Sequence, residues 1–175
     1  MDLKETIRTI PDFPKPGIQF RDITTLLKNA AGLRESAEKI ADEYRGMKID
    51  YVAGIESRGF IVGALVAYLL NAGFIPVRKK GKLPGATIEE SYALEYGTGV
   101  LEIHDDCIEQ GSQIVIVDDL LATGGTALAA AALVEKAGGT VLGMSFIVNL
   151  PDLQGSARIA QAGYPVRWLV EFAGD

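Results

Sequence analysis

Two adjacent aspartates followed by a glycine-rich turn form the segment of this chain best suited to chemistry. Asp118 and Asp119 follow the apolar run IVIV, and residues 123–126 have the sequence TGGT before an alanine-rich stretch. Carboxylates at the carboxyl end of a buried strand can accept hydrogen bonds from sugar hydroxyls. A TGGT turn that opens a helix offers unpaired amides and hydroxyls to a phosphate, and glycine lets the phosphate oxygens approach closely. A ribose phosphate would satisfy both halves.

The same residues also fit a structural role, in which the aspartates cap a helix and the turn merely needs glycine. Other phosphate motifs are missing. Gly59 is followed by Phe60 instead of the lysine of a P-loop, and no GxGxxG sequence opens a helix. A single His104 and a single Cys107 provide no cluster for zinc and no internal disulfide. The pattern therefore favours a ribose-phosphate site over a P-loop or a dinucleotide fold.

Alternating strand and helix patterns must position this segment. Short apolar, β-branched runs predict buried parallel strands at 51–55, 74–77, 114–117, 141–148 and 166–170. Stretches rich in Ala, Leu, Glu and Lys predict helices at 33–44, 59–70 and 126–137. The alternation predicts a single α/β domain over residues 1–175, with a central, mainly parallel sheet flanked by helices.

Two segments fit this alternation poorly and are predicted to be loops. Residues 11–25 contain three prolines, and residues 78–99 combine glycines with a cluster of Lys and Arg. A structureless insertion of about twenty residues is uncommon in a compact domain unless it forms a lid or a binding loop. We therefore expect 78–99 to be a functional, mobile loop. An added β-hairpin, which could itself form the moving lid, is the alternative.

Composition and charge exclude several classes of protein. The chain has 175 residues, of which 48% are hydrophobic, and this is enough apolar material for one folded domain. Its net charge of −6 argues against a nucleic-acid partner. The longest apolar run, 60–70, is shorter than the ~20 residues that cross a bilayer, and the N-terminus lacks an apolar signal core. We expect a soluble, cytoplasmic protein without a membrane partner.

The segment VDDLLATGGT at 117–126 resembles the phosphoribosyl pyrophosphate signature of the type I phosphoribosyltransferases. Four further segments are similar to that family in the same order: PDFPKPGIQFRDIT (11–24), AGIESRGF (53–60), VRKKGKLPG (77–85) and SYALEYG (91–97). The resemblance implies that family's fold, with residues 1–32 as a base-binding hood and 78–99 as a flexible catalytic loop. The implied reaction transfers phosphoribose from phosphoribosyl pyrophosphate to adenine, giving AMP and pyrophosphate.

The resemblance also implies roles for individual residues. Asp118 and Asp119 would hold the ribose hydroxyls and act in catalysis. The 5′-phosphate would be bound by Ala122, Thr123, Gly124, Gly125 and Thr126. Pyrophosphate would be bound by Arg58, Arg78, Lys79 and Lys82, some of them supplied by the neighbouring subunit of a homodimer. Mg²⁺ would arrive bound to the substrate, without metal ligands from side chains.

Base recognition is implied for the segment around Phe20 and Arg21, with the Phe20 ring packing on the purine and Arg21 contributing main-chain contacts. A core anchor is the alternative for Phe20. Ala122 favours adenine, because enzymes for hypoxanthine and guanine resemble this motif but carry an acid there. Glu95 is then the candidate for handling a proton of the base, with a surface acid as the alternative. An enzyme for a 6-oxopurine and a nucleotide-sensing regulator are the competing hypotheses.

Two features in the second half of the chain lie outside this scheme. The acids Glu102, Asp105, Asp106 and Glu109 surround His104, and a polar turn between strands explains them best. Asn149 stands where the corresponding stretch of the family usually has an acid. The resemblance therefore does not determine which residues form the wall of the purine site.

Overall fold

The computed structural model describes residues 1–94 and 97–174, in which strands and helices alternate along most of the chain. The strands are β1 (Arg8–Pro11), β2 (Gln19–Asp22), β3 (Tyr51–Ile55), β4 (Gly73–Lys79), β5 (Thr87–Ala93), β6 (Thr98–His104), β7 (Gln113–Leu121), β8 (Thr140–Asn149) and β9 (Val166–Glu171). The α-helices are α1 (Thr24–Lys28), α2 (Ala30–Asp42), α3 (Arg58–Leu70), α4 (Gly125–Lys136) and α5 (Gly155–Gln161). Every predicted strand and helix is present, with ends shifted by at most four residues.

Seven of the described strands form the central sheet, in the order β5-β6-β4-β3-β7-β8-β9. The five strands from β4 to β9 in this order are mutually parallel. The hairpin of β5 and β6 adds two antiparallel strands at one edge. The predicted central, mainly parallel sheet is therefore confirmed. Within the described ranges, none of the helices is long and apolar enough to cross a bilayer.

Helices cover both faces of this sheet, because successive side chains of each strand point to opposite sides. In β7, Ile114 and Ile116 pack with α4, whereas Val115 and Val117 pack with α2 and α3. The chain passes from β3 through α3 to β4 on one side, and from β7 through α4 to β8 on the other. The two connections diverge between β3 and β7, and a crevice at the carboxyl ends of such strands is where open α/β sheets bind ligands.

The N-terminal segment forms a small antiparallel sheet of β1 and β2, so residues 11–25 are not entirely the loop that was predicted. Arg8 lies opposite Asp22 and donates a hydrogen bond to it from Nε (3.1 Å). Hydrogen bonds from Arg8 and Thr24 lower the pKa of Asp22 to about 2. Four-residue strands that pair with each other leave little periodicity in the sequence, which is why the pattern missed them. The role of residues 1–32 as a hood stays a prediction.

Residues 78–99 contain most of a β-hairpin, the alternative that the sequence left open. β5 pairs with β6 from Thr87 opposite His104 to Ala93 opposite Thr98. β5 is the outermost strand, and two of its acids pair with lysines, one in the turn after β4 and one in α4. The described pairs are Glu89 with Lys80 (2.9 Å) and Glu90 with Lys136. The segment is thus not structureless, and its mobility stays a prediction.

Candidate active site

A cleft of about 310 Å³ opens at the carboxyl ends of β3 and β7, where the sheet topology places a ligand. It brings together most of the residues predicted to bind phosphoribosyl pyrophosphate. The predicted residues that line it are Arg58, Lys79, Asp118, Asp119, Ala122, Thr123, Gly124 and Thr126. Gly125 begins α4 beside them. The other predicted residues within the described part of the chain do not line this cleft: Phe20, Arg21, Arg78 and Lys82.

The phosphate loop, residues 122–126, joins the end of β7 to the beginning of α4. Gly124 has a φ of 82°, the left-handed region that side chains disfavour, and it directly precedes the helix. A Cβ atom on Gly124 would lie 3.1 Å from the carbonyl oxygen of Gly155. Gly124 and Thr126 line the cleft where α4 begins, and the first amides of a helix favour an anion. The geometry has the features predicted for a phosphate cradle.

Gly155 packs against the phosphate loop. It was not among the residues predicted from the sequence. A Cβ atom there would come within 2.1 Å of the Ala122 carbonyl oxygen. Three residues further along, Arg158 donates a hydrogen bond from NH1 to the carbonyl oxygen of Thr123 (3.3 Å). The beginning of α5 therefore fixes the backbone of the loop. No local sequence signal reveals this, because the contact joins segments about thirty residues apart.

The two aspartates of β7 have different electrostatic environments. Asp119 is largely buried, and its Oδ2 atom accepts a hydrogen bond from Arg58 Nε at 2.5 Å. Asp118 accepts from the amide of Asp119 (2.8 Å), and Gly59 leaves the space that its carboxylate occupies. Burial and then the negative charge of Asp119 raise the pKa of Asp118 well above its usual value. The Arg58 guanidinium therefore balances the charge of Asp119, whereas ionising Asp118 costs free energy.

Replacing Asp118 with asparagine is expected to stabilise the protein in the absence of substrate. Because the pKa of Asp118 is raised in the folded protein, ionising this carboxyl group opposes folding. The protonated group therefore contributes stability that is lost as the pH rises above ~4, the ordinary pKa of an aspartate. The Asp118→Asn variant should match the wild type near pH 4 and melt at higher temperature at pH 7 to 8. Thermal melts across this range check it, with exposed Asp105→Asn as the control. An equal or lower melting temperature at pH 8 would contradict the prediction.

Glu56 binds Arg78 and Lys79, the first two cations of the basic segment, and this role was not predicted from the sequence. Its Oε2 atom accepts hydrogen bonds from the amide of Lys79 (3.0 Å) and from Arg78 Nε (3.2 Å). Burial opposes its ionisation, yet these hydrogen bonds lower its pKa. The Arg78 guanidinium also donates to the carbonyl oxygen of Lys82 (3.2 Å). Glu56 and Lys79 line the cleft, whereas Arg78 does not line it and is held by Glu56 and by the Lys82 carbonyl oxygen.

Of the predicted base-binding residues, Phe20 lies near the cleft residue Arg58, whereas the Arg21 side chain contacts residues outside the cleft. The guanidinium of Arg58 is 6.0 Å from the centre of the Phe20 ring, and Phe13 packs edge-on against that ring at 5.2 Å. Phe20 is half-buried and outside both apolar core clusters, so the core-anchor alternative is not favoured. The Arg21 side chain contacts Thr9 and the ring of Phe172, which is compatible with a main-chain role at the site.

Three other expectations have separate outcomes. Glu95 lies outside the described residues, so its predicted role in catalysis is untested. Asp105, Asp106 and Glu109 are exposed next to β6, as expected of a polar turn, but Glu102 is buried within β6. Across residues 1–94 and 97–174, no group of three or more His, Cys, Asp and Glu is placed to hold a metal ion.

Comparison with known proteins assigns the class that this fold and site define. Residues 22–159 match the family described as "Phosphoribosyl transferase domain", and the chain belongs to that family. Over 172 residues, it is 59% identical to the adenine phosphoribosyltransferase of Methylobacillus flagellatus, covering 98% of both chains.

Solved structures give the same result. The crystal structure of adenine phosphoribosyltransferase from Rhodothermus marinus superposes with a TM-score of 0.92 at 52% identity, covering 97% of this chain and 96% of the other. The Saccharomyces cerevisiae enzyme, complexed with D-2,5-dideoxy-2,5-imino-altritol 1,6-bisphosphate and adenine, superposes with a TM-score of 0.89 at 39% identity, covering 97% of each chain. This chain is thus similar over nearly its whole length to adenine phosphoribosyltransferases.

Proposed function

We propose that this protein transfers the 5-phosphoribosyl group of phosphoribosyl pyrophosphate to adenine, forming AMP and pyrophosphate in purine salvage. The observation that carries the proposal is one cleft that combines a carboxylate pair, a helix-opening anion loop and two cations. The relatives named above are adenine phosphoribosyltransferases, and the yeast enzyme was crystallised with adenine. A ribose 5-phosphate that carries a diphosphate matches each of these groups.

In the proposed reaction the bond from C1′ to the diphosphate oxygen breaks, and its electron pair leaves with the oxygen. The N9 atom of adenine forms the new bond to C1′ and loses its proton. Positive charge develops on the ribose during this exchange, and the carboxylates of Asp118 and Asp119 would stabilise it. Arg58 and Lys79 would stabilise the departing pyrophosphate. Glu95 is the proposed acceptor of the base proton.

Mg²⁺ is proposed to enter the cleft as part of the substrate, bound to its diphosphate and ribose hydroxyls. The charge of the cleft fits this arrangement. Asp118 and Asp119 would place negative charge beside the ribose hydroxyls, and the raised pKa of Asp118 indicates a carboxylate whose ionised form a nearby substrate-bound cation would stabilise without being ligated by it. The cation would add positive charge beside the leaving diphosphate.

Adenine is the proposed base because of Phe20, which lies near the cleft, and Ala122, which lines it. Phe20 offers an aromatic surface next to Arg58, and a backbone segment can pair with the amino group and ring nitrogen of adenine. Ala122 lines the cleft where enzymes for 6-oxopurines carry an acid. The site therefore has no carboxylate at this position to manage a proton of hypoxanthine or guanine.

The proposed assembly is a homodimer that acts in the cytoplasm. Arg78 and Lys82 do not line the cleft of their own chain, which agrees with the implied supply of some pyrophosphate-binding cations by a neighbouring subunit. On the outer side of α2 and α3, Tyr68 is 82% exposed beside an apolar groove. Sedimentation at micromolar concentration should give twice the 18.7 kDa of one chain. The free thiol of Cys107 suits a reducing compartment.

The function is tested by offering phosphoribosyl pyrophosphate and Mg²⁺ with adenine, hypoxanthine, guanine or xanthine in parallel. AMP from adenine alone, lost on chelation of Mg²⁺ and restored by its return, is the expected result. Turnover of a 6-oxopurine would contradict the assignment of the base. No turnover with any base, together with tight binding of phosphoribosyl pyrophosphate, would favour the nucleotide-sensing regulator.

Replacing Lys79 and Lys82 together with glutamine is expected to weaken pyrophosphate binding about tenfold or more, because two positive charges near the diphosphate are lost. The KM for adenine should change much less. Steady-state kinetics with each substrate varied in turn measures the difference. Lys48→Gln, on an exposed residue remote from the cleft, is the control for the change of charge. A uniform loss for both substrates would indicate misfolding instead.

A further inference from the structure

Glu102 is a buried carboxylate in β6 that the proposed mechanism does not use. Glu102 is only 3% exposed. Ionised side chains are rarely buried this far without a partner. In the sheet it stands opposite Arg78 of β4 on one side and Glu89 of β5 on the other. A charged group in this position needs a structural or functional explanation.

The partners of Glu102 are backbone amides of the cation turn, defined here as residues 79–83. Its Oε1 atom accepts hydrogen bonds from the amides of Lys82 (2.9 Å) and Leu83 (2.8 Å). Burial favours its neutral form, but hydrogen bonds from Leu83, Gly81 and Lys82 lower its pKa, and nearby Lys80 acts in the same direction. Glu102 is therefore an internal anion that the consecutive amides of this turn enclose.

A turn with several amides pointing inward normally binds an external anion through its backbone. Here Glu102 fills that position, so the cation turn can offer a ligand only its lysine side chains. Glu56 holds the beginning of the same segment through the amide of Lys79. Two carboxylates from different strands and loops thus fix both ends of a short basic segment.

We propose that Glu102 is a positioning residue for pyrophosphate binding, which it supports by fixing the backbone from which Lys79 and Lys82 extend. This inference rests on the proposed function. Without the carboxylate, the amides of Lys82 and Leu83 would lose their buried acceptor, and the turn would rearrange to reach solvent or another anion. Lys79, which lines the cleft, and Lys82, which does not, would then no longer be held in place to bind the diphosphate of their own or a neighbouring subunit.

The test compares Glu102→Ala and Glu102→Gln with Glu109→Gln, an exposed acid a few residues further along the chain. Glu102→Ala should weaken binding of inorganic pyrophosphate, measured by calorimetry, about tenfold, with a similar rise in the KM for phosphoribosyl pyrophosphate. The KM for adenine should change less than about twofold. Amide hydrogen exchange at Lys82 and Leu83 should become faster. Glu102→Gln keeps an acceptor oxygen, so its losses should be smaller, and Glu109→Gln should match the wild type.

Unchanged pyrophosphate affinity in a folded Glu102→Ala protein would overturn the proposal, and so would an equal loss for both substrates. If the alanine variant does not fold, Glu102→Gln decides the question: weaker pyrophosphate binding at an unchanged melting temperature supports the proposal, and unchanged binding overturns it. The calorimetric experiment needs no base. A wild-type protein that binds pyrophosphate but forms no AMP would therefore refute the proposed function while the role of Glu102 is still measured.

Discussion

A Gly124→Val variant is expected to lose phosphoribosyl pyrophosphate binding, with kcat/KM about 10³-fold lower. The valine would occupy a left-handed backbone position with a φ of 82°, which disfavours β-branched side chains. Its Cβ atom would also lie 3.1 Å from the Gly155 carbonyl oxygen, so the phosphate loop would have to move. Losing two charge-assisted hydrogen bonds of about 2 kcal/mol each accounts for this factor.

Gly163→Val is the matched control, because Gly163 also has a positive φ (92°) but would meet nothing within 4 Å. Both variants place valine at a positive φ, and only one changes the cleft. Titration calorimetry with phosphoribosyl pyrophosphate measures the affinity directly. Normal affinity in a folded Gly124→Val protein would place the phosphate site elsewhere.

An Asp119→Asn variant is expected to turn over about 10²-fold more slowly while it keeps its fold. The amide has nearly the same shape but no charge, so it would stabilise a positively charged ribose poorly. It would also weaken the hold on Arg58, whose Nε atom lies 2.5 Å from the carboxylate. The effect should fall mainly on kcat, because the charge on ribose develops in the transition state.

Asp50→Asn provides the control at the opposite end of the same sheet. Asp50 accepts a hydrogen bond from the amide of Gln113, where β7 begins, so it tests the same change of atoms away from the cleft. This variant should retain wild-type turnover. Equal rates for wild type and Asp119→Asn in steady-state assays would remove Asp119 from the catalytic site.

The parts of the site that could be predicted from sequence are those whose signal lies within one segment. The run from Asp118 to Thr126 contains strand, carboxylates, glycine and helix in succession, and the structure brings nearly all of it to one cleft. The alternation of strands and helices could be predicted equally well, because each pattern spans one element. The sequence was sufficient to predict these features because each of them is continuous in the chain.

The parts that were missed depend on contacts between distant segments. Glu102 seemed to belong to a polar turn because its neighbours do, and only the pairing of β6 with β4 shows that it is buried beneath the cation turn. Gly155 likewise gains its role from a carbonyl about thirty residues away. The hairpin of β5 and β6 was predicted only as the alternative to a loop, because it has polar residues at many positions and its pattern does not differ clearly from that of a loop.

The charged surface of β5 also has a consequence for how the protein behaves at high concentration. An outermost strand exposes unpaired backbone groups that can recruit the strand of another molecule, and ionised side chains along the strand oppose such pairing. Glu89 and Glu90 stand on this strand and are bound by Lys80 and Lys136. The hairpin beside the cleft therefore also protects the sheet from edge-to-edge aggregation. Substitutions that make β5 more apolar are expected to reduce solubility, even where they improve catalysis.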